Sequence, residues 1–199
     1  MRTSIKLLLW LLAGIVTLPV LLAALLYFVD VNLYRDRIEQ QVSTAFGREV
    51  VLEGRLGLEP SLSPRFTVNG LKISNPDWAS RPFLAIVDKF DIRVSLLPLL
   101  GGKLEIVALD FHDVDLLLEE ATDGDNNFTF DSSGEAAELP AIRRLSLFDA
   151  AIAYSEPGEP LRRVHLAQVT ARKVPGQPVE LDAQTTLNEL PVTLSVRGE

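Results

Sequence analysis

The alternation of hydrophobic and polar positions changes period twice along this chain. From Leu7 to Val29 there is no alternation at all: LLLWLLAGIVTLPVLLAALLYFV runs 23 residues without a charge, with Arg2 and Lys6 before it and Asp30 after it. A helix rises about 1.5 Å per residue, so about 20 apolar residues cross a hydrocarbon core of roughly 30 Å. The run predicts a transmembrane anchor over residues 1–30. Pro19 falls mid-span, where a membrane helix tolerates it, and Trp10 and Tyr27 stand near the two ends, where amphipathic rings favour the headgroup level. A cleavable signal peptide has a shorter apolar core of about 7–15 residues and a small-residue exit site. LLYFVD offers no such exit, and a buried core helix is not usually apolar on every face for this length.

Over residues 31–47 the period becomes 3.6. Tyr34, Ile38, Val42, Ala45 and Phe46 fall on one stripe, and Arg35, Asp36, Arg37, Glu39, Gln40 and Gln41 on the other. Asn32 is placed to cap the start, and Gly47 to close the end in a left-handed conformation. An interfacial helix normally carries a Lys-rich polar face. This one is mixed in sign, which favours a helix capping one end of a β core over one lying on a membrane.

From Arg48 onward the period is 2. Val50, Leu52, Leu56 and Leu58 alternate with Val51, Glu53, Arg55 and Gly57; Phe66 and Val68 slip phase at Asn69-Gly70 to Leu71 and Ile73. The longest regular run puts Leu84, Ile86, Phe90, Ile92, Val94 and Leu96 on one face, against Lys89, Asp91, Arg93 and Ser95. LLPLLGG breaks the pattern as an apolar helical turn. Strands follow at 104–111 and 114–119, then a polar loop over 121–140 around a short NFTF strand. Strands resume at 142–148, 150–155, 162–173, 179–187 and 191–197. SEPGEP, VPGQP and NELP are turn chemistry, so an antiparallel meander is the economical reading. IVALDFHDVDLLLEE aligns with IRRLSLFDAAIAYSE at an offset of 36 (Ile106 on Ile142), each unit a strand, a kink at Asp113 or Asp149, and a second strand. The chain stops directly after an alternating strand, which reads as the first part of a longer array.

Composition narrows the function. A net charge of −8 argues against nucleic acid, and with no cysteine there is no disulfide, thiolate metal site or Cys nucleophile. The acidic remainder carries no polybasic patch, so the N-terminus is expected in the cytoplasm and the bulk outside. Asp123, Asp125 and Asn127 resemble the start of a calcium loop, but position six is Phe128 and position twelve Gly134. Asn127-Phe128-Thr129 is a glycosylation sequon; His112 beside Asp113 does not cooperate with it, because strand neighbours point to opposite faces. No nucleophile elbow, P-loop or dinucleotide fingerprint is present, and the reading is of a non-enzyme with no metal and no cofactor. What remains is an apolar face with one helix to cover it: either two sheets pack as a sandwich, or one sheet curls into a trough that holds acyl chains.

The chain resembles the AsmA family of Gram-negative envelope proteins. The carriers are the N-terminal span followed by Tyr34-Arg35-Asp36-Arg37-Ile38, Gly47-Arg48-Glu49-Val50, and Leu71-Lys72-Ile73-Ser74-Asn75-Pro76. Further on come Ser95-Leu96-Leu97-Pro98-Leu99-Leu100 with Leu104-Glu105-Ile106, and then Asp123-Gly124 leading to Asn127-Phe128. The resemblance implies an inner-membrane protein with a periplasmic β-groove of the chorein or β-taco kind, active in outer-membrane biogenesis and in moving phospholipid. The expected fold is thus mainly β: anchor 1–30, capping helix 31–47, and an antiparallel meander curled into a groove over 48–199. Its partners are the phospholipid bilayer and acyl chains, with envelope assembly proteins as the alternative. The groove candidates are Leu52, Leu56, Leu84, Ile86, Phe90, Ile92, Val94, Leu116 and Leu118.

Overall fold

A computed structural model of the chain describes residues 26–99, 101–130, 141–173, 177–187 and 190–198, together with Lys6, Trp10, Thr17, Leu21 and Ala24. The predicted span lies largely outside the described residues; Trp10, Thr17, Leu21, Ala24 and Leu26 within it are helical. Among the described residues no helix is long and apolar enough to cross a membrane.

The change of period after residue 30 becomes a 3-10 turn, Val31–Tyr34, and helix α1, Arg35–Phe46. Gly47 closes the helix at φ 64°, where a side chain would be strained and glycine is not. Asn32 does not cap α1 as its position suggested. Its side chain reaches instead to Leu56, accepting from the backbone N at 2.9 Å and donating to the carbonyl at 3.2 Å. Asp30 accepts from the backbone N of Asn32. Arg35 secures the helix from its other side, its guanidinium donating to the carbonyls of Leu52, Glu53 and Gly54.

The strands are β1 (Val50–Leu52), β2 (Gly57–Glu59), β3 (Arg65–Ser74), β4 (Phe83–Val94), β5 (Glu105–Glu119), β6 (Ala141–Ile142), β7 (Arg144–Ser155), β8 (Arg162–Arg172), β9 (Val179–Leu187) and β10 (Leu190–Gly198). All belong to one open, curled sheet in the order β1-β3-β4-β5-β7-β8-β9-β10, with β2 on β3 and β6 on β5. There is no second sheet among the described residues, so the sandwich alternative does not hold there. The predicted turn LLPLLGG holds the short helix α2, Leu96–Leu99. The predicted NFTF strand, residues 127–130, does not form; an isolated bridge, Glu120 to Asn126, lies just before it.

The sheet is mixed, not the pure meander expected. β5 and β7 run parallel, because the link through residues 120–143 is long enough to carry the chain back to the starting end. The parallel register pairs Leu109 with Leu145, Phe111 with Leu147, Val114 with Ala150 and Leu116 with Ile152. Each pair is 36 residues apart. The sequence repeat is therefore a spatial repeat, its units lying side by side.

The kinks fall into line across the sheet. Asp113 and Asp149 stand at φ 53° and 56°, and Gly70 at 69°. In the flanking registers Gly70 lies opposite Asp88, Asp88 opposite Asp113, and Asp149 opposite Ala167. Aspartate and glycine are the residues that tolerate this left-handed conformation best. The result is a crease that reverses the in–out phase of every strand it crosses.

Candidate functional site

The crease corrects the reading of β4. Phe90 and Ile92 share a face with Val87 and Ala85, because Val68 pairs with Phe90 and Leu71 with Val87, and Val68 and Leu71 pack in one cluster. Ile86 pairs with Lys72 and Asp115 on the opposite, polar face, and Leu84 sits on that face with it. Both leave the candidate groove for this reason. Leu52 and Leu56 are buried with Val50 and Val68 in the core beneath α1, where Val31 and Val42 also pack. Phe90, Ile92 and Leu116 remain on the apolar face; Val94 continues it to Ile106, and Leu118 pairs with Tyr154 at its far end.

That face extends well past the expected residues. One row runs Phe66, Ile92, Leu109, Leu145, Ala171, Leu181, Val196 across seven strands. The next runs Val68, Phe90, Phe111, Leu147, Val169, Ala183, Leu194, with Phe90 and Phe111 stacked at 4.4 Å. Beyond the crease lie Leu71, Val87, Val114, Ala150, Leu166, Thr185, Val192, and then Ile73, Ala85, Leu116, Ile152, Val164. No charged side chain interrupts any row. Among the described residues only the β1–β4 end is covered, by α1; Val164 is 53% exposed and Leu194 57%. The 36-residue repeat held the signal for the missed half, since it maps Leu109 to Leu145 and Leu116 to Ile152.

Where the chain leaves the N-terminal run, the face opens into a cavity of about 310 Å³. Val29, Val31, Tyr34, Ile38, Leu56, Phe66, Val68 and Ile92 line it. A larger, more polar depression of about 760 Å³ lies on the opposite face, lined by Arg81, Asp115, Glu119, Arg163 and His165 among others. There Arg81 is paired with Asp115 at 2.9 Å, and Glu119 accepts from the backbone N of Ser80.

Charges collect on that opposite face as ion pairs: Lys89 with Asp91 along β4 at 3.1 Å, and, across strands, Arg144 with Asp110 at 3.0 Å and Arg172 with Asp182 at 2.9 Å. His112 stacks on Phe148 at 4.7 Å and lies 3.9 Å from Asp91, so its neighbour in space is not Asp113. Burial pushes the Asp91 carboxyl up, but the Thr67 hydroxyl, donating at 2.6 Å, together with Lys89 and Arg65 holds it below its ordinary 3.8. A depressed carboxyl contributes stability above its unfolded value and loses it as pH falls through the folded one. Thr67→Val is therefore expected to cost about 1–2 kcal/mol at neutral pH and to bring acid unfolding on at a higher pH. The difference from the parent should shrink below pH 3.8, as urea midpoints taken along a pH series will read.

Asn127 is fully buried. Its amide is thereby withdrawn both from the sequon and from the calcium-like loop. Arg48, from the Gly47–Val50 motif, donates to the carbonyl of Thr129 at 3.3 Å and lies over the Phe130 ring.

Among known proteins, the model for the AsmA family matches residues 1–184. No curated protein and no solved structure matches the chain.

Proposed function

The chain belongs to the AsmA family, and on that premise we propose that its apolar face holds phospholipid acyl chains for a membrane-anchored, periplasmic role in outer-membrane biogenesis. The observation that carries this reading is the four apolar rows with no second layer over their β7–β10 half among the described residues. Soluble proteins rarely leave so large a contiguous apolar surface without a partner. Seven strands at about 4.8 Å spacing give rows about 29 Å long, near twice the leaflet depth of a hydrocarbon core. Acyl chains match such a surface because they need no polar partner and gain about 0.8 kcal/mol per buried CH₂. The N-terminal run places the face beside a bilayer, with the N-terminus in the cytoplasm, and the cavity at Val29 gives chains a way onto it.

The test is photo-crosslinking in a bacterial inner membrane with radiolabelled phospholipid and the full chain. Probes at Leu116 and Val164 are expected to form phospholipid adducts; probes at Arg163 and Gln184, on the other face, are not. Ile92→Asp, which sets a carboxylate in the first row, is expected to cut the Leu116 adduct about tenfold or more. Equal labelling of both faces, or adducts to protein only, would replace lipid binding with the envelope scaffold reading.

A further inference from the structure

We propose that the rim of the sheet nearest the N-terminal run is a second membrane contact, in which the β4–β5 turn seats its leucines in the interface of an anionic bilayer. The proposal rests on the reading of residues 1–30 as an anchor.

Position comes first. The chain enters the domain at Val29 and Val31, which share a cavity with Phe66 and Ile92. Ile92 is four residues before α2, so at strand rise the β4–β5 turn begins about 13 Å away on the same rim. The backbone N of Leu96 donates to Leu62 in the β2–β3 loop at 3.2 Å, joining the two turns. Composition comes second. Leu62, Leu97, Leu99 and Leu104 are all exposed among the described residues, Leu97 at 57%. A helical turn of leucines between two hairpin strands is a poor solvent turn and a good interfacial one.

Charge is the third observation, and it selects the occupant. The protein is acidic overall, yet this rim carries Lys103, Lys173 and Arg143, with the Lys173 backbone N donating to the Arg143 carbonyl. Among the described residues Lys103 and Lys173 have no carboxylate partner, whereas Arg143 pairs with Glu105. The opposite rim also exposes Trp78 and Leu161; there Arg162 pairs with Glu159 at 3.6 Å and Arg163 stands beside them, but Asp77, Asp123 and Asp125 have no cation partner among the described residues. One end of the sheet is thus apolar and basic, the other apolar and acidic. Anionic headgroups suit the first and repel the second.

The chain has no cysteine, so single labels are unambiguous. Full-length Leu97→Cys, Leu99→Cys, Leu161→Cys and Leu21→Cys variants, each carrying an environment-sensitive fluorophore, are reconstituted in phosphatidylcholine–phosphatidylglycerol vesicles with nitroxide-labelled lipids. Leu97 and Leu99 labels are expected to shift to the blue and to be quenched by shallow nitroxides. The Leu161 label should stay in water, and the Leu21 label should be quenched by deep ones. A quenched Leu21 label with unquenched Leu97 and Leu99 labels overturns the rim contact and leaves the anchor standing. If the Leu21 label is also unquenched, the anchor reading has failed and the rim contact falls with it.

Discussion

Gly54→Ala is expected to destabilise the domain by about 3–5 kcal/mol, while Gly57→Ala, three residues on, costs less than about 1 kcal/mol. A Cβ at Gly54 meets Asn69 Cβ and the Asn69 carbonyl oxygen at 2.6 Å each, and the carbonyl carbon at 3.0 Å. None of these is a flexible chain end that can swing away. At Gly57 the nearest atom is Thr67 Cβ at 3.5 Å, an ordinary contact. The clash therefore has to move backbone, and what moves carries much of the local hydrogen bonding. Gly54 N donates to Asn69 O and Glu53 N to Gly70 O, both at 2.8 Å, and the Arg35 clamp closes on the carbonyls of Leu52, Glu53 and Gly54. Overpacking typically costs 1–3 kcal/mol and each lost hydrogen bond about 1 more. Against a usual stability of about 5–15 kcal/mol this is a large share. Urea midpoints of the two variants decide the matter; equal midpoints would mean that the 53–54 and 69–70 segments do not approach so closely.

Much of the architecture was legible in the hydrophobic pattern. The alternation set most strands, and the phase slip at Gly70 was visible because Leu71 and Ile73 fall out of step with Phe66 and Val68. The 36-residue offset gave the register of β5 on β7 to the residue, and the paired aspartates marked the kinks. What it did not give was direction. A repeat of strand, kink and strand looks the same whether its copies run parallel or antiparallel, and the loop over 121–140 concealed the crossover that makes β5 and β7 parallel.

The groove was read only in part, and the reason lies in β4. Leu84 and Ile86 are apolar although they stand on the polar face, so the phase reversal at Asp88 leaves no trace in the sequence of that strand. Only its neighbours reveal it, through Gly70 on one side and Asp113 on the other. The motifs behind the family resemblance have a structural reading as well. Arg35 clamps α1 to the β1–β2 segment; Arg48, Asn75 and Asn127, far apart in sequence, meet around the far end of β3 and β5. Those residues hold the frame, while the exposed rows are written almost wholly in interchangeable Leu, Ile, Val, Ala and Phe.

Asn127→Asp, a change of one atom type, is expected to be about as damaging as the glycine substitution at neutral pH. Asn127 acts as a short surrogate strand against the end of β5. Its Oδ1 accepts from Glu119 N at 2.8 Å, its Nδ2 donates to Leu117 O at 2.8 Å and to Asn75 Oδ1 at 2.9 Å, and its own backbone N donates to Glu119 O at 3.0 Å. Asn75 in turn donates from its side chain to Arg81 O at 2.9 Å and from its backbone to Pro82 O at 2.9 Å, so one buried amide ties β5 to both the 75–82 and the 120–130 connections. A carboxylate keeps the Glu119 bond but sets an acceptor against two acceptors, and buries a charge. Breaking a buried polar network in this way typically costs about 3–5 kcal/mol. The sign of the pH dependence separates this cause from a general loss of packing. Burial raises the folded pKa of the new carboxyl above its unfolded value of about 3.9, so the native state takes up a proton that the unfolded state does not, and stability returns as pH falls toward that value. Protonated, the group donates to one of the two carbonyl-type oxygens and recovers part of the network. Urea midpoints for Asn127→Asp should therefore rise from neutral pH to about 4.5, in the direction opposite to the acid loss centred on Asp91, whereas Asn127→Leu, which removes the same bonds without a titrating group, should show no such recovery. A flat profile for the aspartate variant would mean that the site is open to water, and that the two loops are joined to β5 by something other than this amide.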